Sequence, residues 1–509
     1  MDKYLAILEV SQKQAYIFSS NKLKENIRNS AIIEKVLSPK YILETLKKEG
    51  YSEENNMVYS GGGHTILEFE SEDIATKFIR ILTEKIYKEF DGLEVFAKLI
   101  KYNECDYDKD KYKSIAHKNI KNLLSELEKK KSIRRAAFHQ GSYGIEKIDT
   151  NTLKRKKQSE NEAVLKGVDN DIEDKEQKLF PVGFNLAKEF ENLGGTKNES
   201  NFIAVVHIDG NGMGKRVEDF YEKLGEIPWN ETKERLREFS KGIAEDFENA
   251  YKRMVDRVAN AIESDNEVSK LNLTKNGHKY FPIRRVITAG DDVCFVTEGR
   301  IGIECARIFI EELTSKECMN SADGKGYSAC AGVAIVHQKY PFYRAYELSE
   351  MLCSNAKRYG ASISPIDNGQ SISSIDWHVE FGELKDSLQD IREGYITNDG
   401  NRLYMRPYIV HAKQEVIEDK FYSARTYNYF KTILLGIASK ENSYATGKIK
   451  NLRNVLREGE LETQYYLEFN KMTDLVKGKS DIFVKQSDGS KSSMVFDAIE
   501  LLDTFVSID

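Results

Sequence analysis

The chain has 509 residues, 40% hydrophobic and 31% charged, with only 7 prolines. That composition belongs to a soluble globular protein with sizeable cores, and the length exceeds one ordinary domain. The net charge of −6 excludes a surface that coats nucleic acid over most of its area, leaving only local basic stretches for such contact.

The N-terminus, MDKYLAILEVSQKQ, has an acidic second residue and no apolar run of signal-peptide length. No stretch approaches about 18 consecutive apolar residues, so no membrane contact and a cytoplasmic location are expected. Cys105, Cys294, Cys305, Cys318, Cys330 and Cys353 are scattered and never form a CxxC. They read as reduced core thiols, and a cysteine-based zinc site is not expected.

In chain order, Tyr4 to Val10 (YLAILEV) is a short apolar run that predicts a strand. Gly61 to Leu67 (GGGHTIL) predicts the turn and second arm of a hairpin, and Ser71 to Phe90 a helix. Residues 101–200 carry SELEKKKSIRR and LKRKKQSENE and read as a charged linker domain, partly helix and partly loop. Asn201 to Ile208 (NFIAVVHI) is a buried strand that ends at Asp209 in the glycine-punctuated loop DGNGMGK. A long helix follows, with Leu236, Phe239, Ile243, Phe247, Tyr251, Met254, Val258 and Ile262 at three- and four-residue steps.

Phe281 to Thr288 and Val293 to Thr297 are strands joined through Ala289-Gly290-Asp291-Asp292. Ile301 to Leu313 predicts a helix, Tyr327 to His337 a strand, and Tyr343 to Tyr359 a further amphipathic helix. Beyond about residue 385 the pattern is helical, including Tyr422 to Ser439 and Thr446 to Glu458.

The order strand, helix, strand, strand, helix, strand is the ferredoxin-like palm arrangement, and the N-terminus repeats it. Laid without gaps, Tyr4–Val10 falls on Phe202–Ile208, which sets Ser11 at the place of Asp209. GGGHTIL falls on Ala289–Phe295. The expected fold class is therefore α+β with two palms. Residues 1–100 form a degenerate palm, 101–200 the linker domain, 201–385 the catalytic palm and 386–509 a C-terminal helical domain. On this alignment the acids of the second copy become Ser11, Gly63 and His64 in the first.

Joining nucleotides requires a 3′-hydroxyl to attack an α-phosphate while pyrophosphate leaves. Two divalent cations can acidify the hydroxyl and neutralise the leaving oxygens. Such ions are hard and take oxygen ligands held on rigid elements. In a palm sheet the end of the first strand lies beside the hairpin of the next two strands. Asp209, Asp291 and Asp292 would converge there, and with Gly210 they form the candidate set for two Mg²⁺ or Mn²⁺ ions. The loop of Gly210, Asn211, Gly212, Met213, Gly214 and Lys215 lets backbone amides approach a triphosphate at a helix N-terminus. Gly290 and Lys357 complete the candidate nucleotide contacts, with Arg358 beside Lys357.

Each element has a simpler reading. Asp209 alone suits a helix cap, and Gly-Asp-Asp alone suits a hairpin turn. Their corresponding positions in one fold favour catalysis for the pair. Lys357 and Arg358 equally suit a solvated helix end, Lys215 is the weakest contact, and His64 reads as non-catalytic. Lys129–Lys131 with Arg134 and Arg135 reads as a solvated helix face rather than an RNA site.

The twin palms, HIDGNGMGK, the AGDD hairpin, the helix ending NAKRYG and the SGGGH hairpin resemble the large subunit of type III CRISPR effector complexes, or a stand-alone relative of it. The resemblance covers most of the chain, most securely 1–95 and 200–385. It implies conversion of ATP into cyclic or linear oligoadenylate messengers in antiviral defence, with guide RNA and other CRISPR subunits as partners. The family's hairpin acids carry over onto Asp291 and Asp292, its strand acid onto Asp209 and its lysine onto Lys357. The usual Gly-Gly-Asp-Asp begins here with Ala289. No His-Asp dipeptide occurs, so the family's nuclease domain is not expected, nor is its four-cysteine zinc cluster. Similar motif pairs occur in GGDEF-type diguanylate cyclases. Two other readings therefore stand beside the oligoadenylate cyclase: a cyclic dinucleotide synthase working as a homodimer, and a non-catalytic scaffold that binds guide RNA.

Overall fold

The computed structural model describes residues 3–46, 53–90, 92–102, 108, 112–132, 148–149, 154–155, 162–193, 201–225, 227–264, 268–381, 387–439, 444–476 and 481–508. Cys105, Arg134, Arg135 and most of LKRKKQSENE lie outside them.

The first copy comprises β1 (Lys3–Val10), α1 (Leu23–Leu37), β2 (Met57–Gly61), β3 (His64–Phe69), α2 (Glu72–Glu89) and β4 (Val95–Tyr102). Its antiparallel sheet runs β2-β3-β1-β4. Leu5, Ala6, Ile7 and Leu8 are all buried, so β1 is a continuous apolar run rather than an alternating one. Two linker helices follow, α3 (Ile115–Ser132) and α4 (Glu162–Gln177). The second of these joins the copies. Its Asp169 accepts two hydrogen bonds from Arg28 of α1, at 2.7 and 2.6 Å. Its Glu176 pairs with Arg284 and Arg285 of the second copy.

The second copy comprises β5 (Phe202–Gly210), α5 (Met213–Lys223), α6 (Trp229–Glu263), β6 (Ile283–Ala289), β7 (Asp292–Glu298), α7 (Gly302–Leu313), β8 (Ala329–His337) and α8 (Phe342–Ile363). Its first four strands are ordered β6-β7-β5-β8, the connectivity of the first copy. The sheet then continues through β9 (Ser373–Val379), parallel to β8, and β10 (Tyr408–His411), antiparallel to β9. It thus draws its last strand from beyond residue 385. All eight apolar residues of the stripe expected on the long helix are buried in α6.

Strand register corrects one equivalence. Asp292 at the start of β7 faces Asp209 on β5, and His64 at the start of β3 faces Glu9 on β1. Glu9, not Ser11, therefore stands where Asp209 stands. A slip of two residues keeps every side chain on the same sheet face, so matching apolar runs cannot detect it. The first palm has lost its hairpin acids but keeps an acid on its first strand.

The palms are joined by α6 lying along β2, an edge strand with carbonyls left over from the ladder. Trp229, Lys233, Arg237 and Ser240 form one stripe of that helix. Lys233 Nζ donates to the Asn55 carbonyl at 3.2 Å, Arg237 to the Met57 carbonyl, and Ser240 Oγ to the Ser60 carbonyl. Glu68 of β3 is buried and accepts from Trp229 Nε1 at 2.7 Å, from Lys233 and from the Tyr102 hydroxyl.

The C-terminal region contains α9 (Tyr427–Ala438), α10 (Thr446–Glu458), α11 (Glu460–Phe469), a small hairpin of β11 (Phe483–Lys485) and β12 (Lys491–Ser493), and α12 (Phe496–Leu501). The fully buried Glu304 of α7 holds it to the second palm, accepting from Tyr427, Lys431 and the Ile508 amide. The five described cysteines are free and buried. Among the described residues no helix is long and apolar enough to cross a membrane.

Candidate active site

The end of β5 and the β6–β7 hairpin meet as their register demands. Asp209 and Asp292 are Cα partners across the ladder, and the Gly210 amide donates to the Asp291 carbonyl at 3.2 Å. A Cβ on Gly210 would sit 2.7 Å from Met213 Cγ and 3.2 Å from Asp291 Cβ, so glycine permits this close approach. From α8, Lys357 Nζ donates to Asp209 Oδ2 at 2.6 Å and to the Gly210 carbonyl at 3.0 Å.

Three carboxylates thus gather at a point where only Asp209 is paired with an ammonium. Burial, reinforced by the negative charge of Asp209, pushes Asp291 up to about 6 and Asp292 up to about 7. For Lys357, burial opposes the charge, but Asp209 beside it raises its pKa above the ordinary lysine value. Asp292 Oδ1 is buried without a hydrogen-bond partner. It lies 3.5 Å from His207 Nδ1, itself unpartnered on an imidazole that burial keeps from protonating readily. Excess carboxylate charge, an orphaned oxygen and all-oxygen donors are the chemistry that a hard divalent cation satisfies.

The glycine loop completes one side. Gly212 adopts φ +64° as N-cap of α5 without a side-chain cap. The helix begins at Met213, leaving its first turn open toward an anion. The Asn211 amide is held by the Ser328 carbonyl at 2.9 Å, and its side chain donates to the Ile372 carbonyl at 2.7 Å. Asn211 thereby ties the loop to the residue just before β9. Gly214 is exposed, with nothing within 4 Å of where its Cβ would be.

The expected residues divide clearly. Asp209, Gly210, Gly290, Asp291, Asp292 and Lys357 come together. Lys215 is exposed and makes no hydrogen bond or ion pair with the three aspartates, while its neighbour Arg216 is buried in a bidentate pair with Asp323. Arg358 is exposed on another face of α8.

Sequence reasoning passed over three residues near the acids. His207 precedes Asp209 by two positions and so shares its sheet face, a signal that strand alternation does contain. Glu350 of α8 faces His207, and burial raises its pKa. Lys13, just past β1, reaches the acids only through palm–palm packing. Burial lowers its pKa while Glu9, Asp292 and Asp291 act to raise it.

A cavity of about 1080 Å³ opens between the palms. The first hairpin lines it with Gly61, Gly62 and His64, and the second with Gly290 and Asp291. Met213 and Gly214 close the loop side, and Tyr59 and Tyr221 add aromatic surface. At its rim, His117, Glu218 and Glu222 have ligand atoms within 4.8 Å of one another. Lysines already balance that group: Lys121 Nζ is 3.3 Å from Glu218, and Lys113 Nζ is 2.6 Å from Glu222.

Residues 202–362 match the family model described as Cas10/Cmr2, second palm domain. This palm is Cas10-like. The fold of the whole chain is similar to that of solved Csm1–Csm4 cassettes. One, in complex with cA4, has a TM-score of 0.58 at 14% identity and aligns over 99% of this chain and 70% of its own. Another, in complex with one ATP, gives 0.57 at 15% identity over the same shares. The Csm1–Csm4 subcomplex of the type III-A CRISPR-Csm interference complex gives 0.54 at 14% identity, again over 99% and 70%. At these identities the likeness is one of fold, and it extends the resemblance beyond the Cas10-like palm to both palms and the helical parts. No curated protein matches the chain in sequence.

Proposed function

We propose that the chain is a metal-dependent nucleotidyltransferase that joins nucleoside triphosphates, ATP foremost, into cyclic or linear oligoadenylates within a type III CRISPR defence system. The observation that carries this reading is the meeting of Asp209, Asp291, Asp292 and Lys357 beside an uncapped helix N-terminus, with Asp291 reaching the wall of a nucleotide-sized cavity. The relatives in complex with cA4, one ATP and pppApA point the same way.

In this reading Asp209, Asp291, Asp292 and the Gly210 carbonyl hold Mg²⁺ or Mn²⁺. When bound, the ions acidify the attacking 3′-hydroxyl and neutralise charge on the departing pyrophosphate. The amides from Gly212 to Lys215 receive the triphosphate. Lys357 fixes the Asp209 carboxylate and keeps a positive charge beside the phosphates. His207 orients the Asp292 carboxylate from behind. The cavity between the palms takes the second nucleotide, and its partly apolar walls exclude competing water. Because two palms already face each other within one chain, a homodimer is not required to bring two nucleotides together. Other CRISPR subunits and guide RNA are the proposed partners.

The test is incubation of the purified protein with each NTP and Mg²⁺ or Mn²⁺, with mass spectrometry of the products. An Asp291→Ala/Asp292→Ala variant is the control. An oligoadenylate made by the wild type and absent from the control is expected. No product from any NTP, with or without added target RNA and partner subunits, would leave the RNA-binding scaffold reading ahead.

A further inference from the structure

The first palm also touches the second at a point away from α6. The helical turn Lys13–Ile17 after β1, with the residues just beyond it, meets the start of α8. Phe18 lies against Tyr346 with ring centroids 4.1 Å apart, and against Phe342 at 5.6 Å. The Phe342 amide donates to Asn21 Oδ1 at 2.7 Å. Gln14 Nε2 donates to Glu350 Oε1 and, at 3.4 Å, to the Tyr346 hydroxyl. Phe342, Tyr346 and Glu350 recur at every fourth position, so one face of α8 carries all of these contacts.

The same helix is fixed against the sheet beside the acids. Gly332 of β8 is the Cα partner of His207 on β5, and cross-strand partners share a sheet face. A Cβ on Gly332 would lie 2.0 Å from the Ser349 carbonyl oxygen and 2.4 Å from the Cys353 amide nitrogen. The backbone of α8 therefore rests directly on the face from which His207 projects. There the buried Tyr346 meets the His207 imidazole edge to face, at 5.6 Å and 83°. Its hydroxyl donates to Glu350 Oε1 at 3.2 Å. Of the carboxylates around the imidazole, Glu350 acts on it most strongly. The imidazole in turn sets Nδ1 3.5 Å from Asp292 Oδ1, two buried atoms with no hydrogen-bond partner elsewhere. A chain of contacts thus runs from Gln14 and Phe18 of the first palm, through Tyr346 and Glu350, to His207 and Asp292.

We infer that Tyr346 and Glu350 are positioning residues that hold His207 behind Asp292 and so set how well that carboxylate binds a divalent ion, and that Gln14 extends this control to the first palm. A histidine can orient a metal-binding carboxylate only if its own ring is held, and outer partners of this kind change metal affinity by about tenfold or more. Metal binding by the three acids is the transferase reading above, on which this control rests.

The experiment is Mn²⁺ titration of the full chain followed by electron paramagnetic resonance, beside a thermal melt of each variant. Tyr346→Phe and Gln14→Ala change no charge and keep the apolar contacts, and each is expected to weaken Mn²⁺ binding about threefold or more. Glu350→Gln should weaken it about tenfold. Glu347→Gln, the same charge loss on α8 at a carboxylate 3.4 Å from Arg344, should bind Mn²⁺ as wild type does. Saturating Mn²⁺ should restore turnover in the weakened variants with KM for the triphosphate unchanged, which a general loosening of the fold would not do. Gln14 is exposed, so its replacement tests the control even if Tyr346→Phe melts early. Wild-type Mn²⁺ affinity in Gln14→Ala or Glu350→Gln, or equal losses in Glu347→Gln and Glu350→Gln, would overturn the inference. The expected order of Mn²⁺ affinities in a protein that makes no product from any NTP would retain the positioning set and reject the transferase reading.

Discussion

Asp291 and Asp292 carry protons at pH values where ordinary aspartates do not. A divalent ion needs both carboxylates ionised, so protons compete with it until the pH passes about 6 for one and about 7 for the other. The affinity for Mn²⁺ is therefore expected to rise on the order of a hundredfold between about pH 5.5 and 7.5, then flatten. Asp292 is 40% exposed at its side chain, so solvent screening softens the upper part of that curve. Titration followed by Mn²⁺ electron paramagnetic resonance measures it directly. A flat profile across this range would mean that the carboxylates do not hold the ion. The three acids were legible in the sequence because their types and their places in a βαββαβ pattern coincide. Lys13 and Lys131 were not, because a lysine after a strand or late in a charged helix looks the same whether solvated or folded inward. Only tertiary packing, which sets Lys131 on Glu9 of β1 and Lys13 on the Gly62 carbonyl, distinguishes the two.

Among elements, the strand-loop-helix that begins at β5 shows how closely backbone placement sets the site. Gly210 meets the hairpin at a distance that leaves no room for a methyl, whereas Gly214 faces open space. Gly210→Ala is expected to displace Met213 or Asp291 at a cost of about 1–3 kcal/mol in packing, and to weaken Mn²⁺ binding about tenfold. Gly214→Ala should leave both the melting temperature and Mn²⁺ binding unchanged. Equal effects of the two substitutions would show that this contact does not set the geometry. Periodicity predicted β5, α6, the hairpin and α8 close to their observed places, since each buries one well-marked apolar pattern. It missed the equivalence of Glu9 with Asp209, because a two-residue slip leaves that pattern unchanged. It also missed β10, whose four residues, Tyr408–His411, are too few to establish an alternation. The β11–β12 hairpin, at three residues a strand, escaped for the same reason.

At the scale of the whole molecule, the cavity exists only while the palms stay docked, and Glu68 is the residue on which that docking converges. It serves Trp229 and Lys233 of α6 from within the first palm, and the Lys233 side chain is only 5% exposed. Removing the carboxylate leaves a buried ammonium with only the Asn55 carbonyl in hydrogen-bond contact, and breaking such a pair costs about 3–5 kcal/mol. Glu68→Ala is therefore expected to separate the melting of the first palm from that of the second, giving two calorimetric transitions where the wild type gives one. Transfer activity should be lost although Asp209, Asp291 and Asp292 are intact, while Mn²⁺ binding to the second palm persists. If Glu68→Ala instead melts in two transitions and still turns over normally, a single palm suffices for the chemistry, and a single transition would show that Glu68 does not hold the palms together. Loss of turnover with retained metal binding would locate part of the active site on the first palm, which carries none of the three acids.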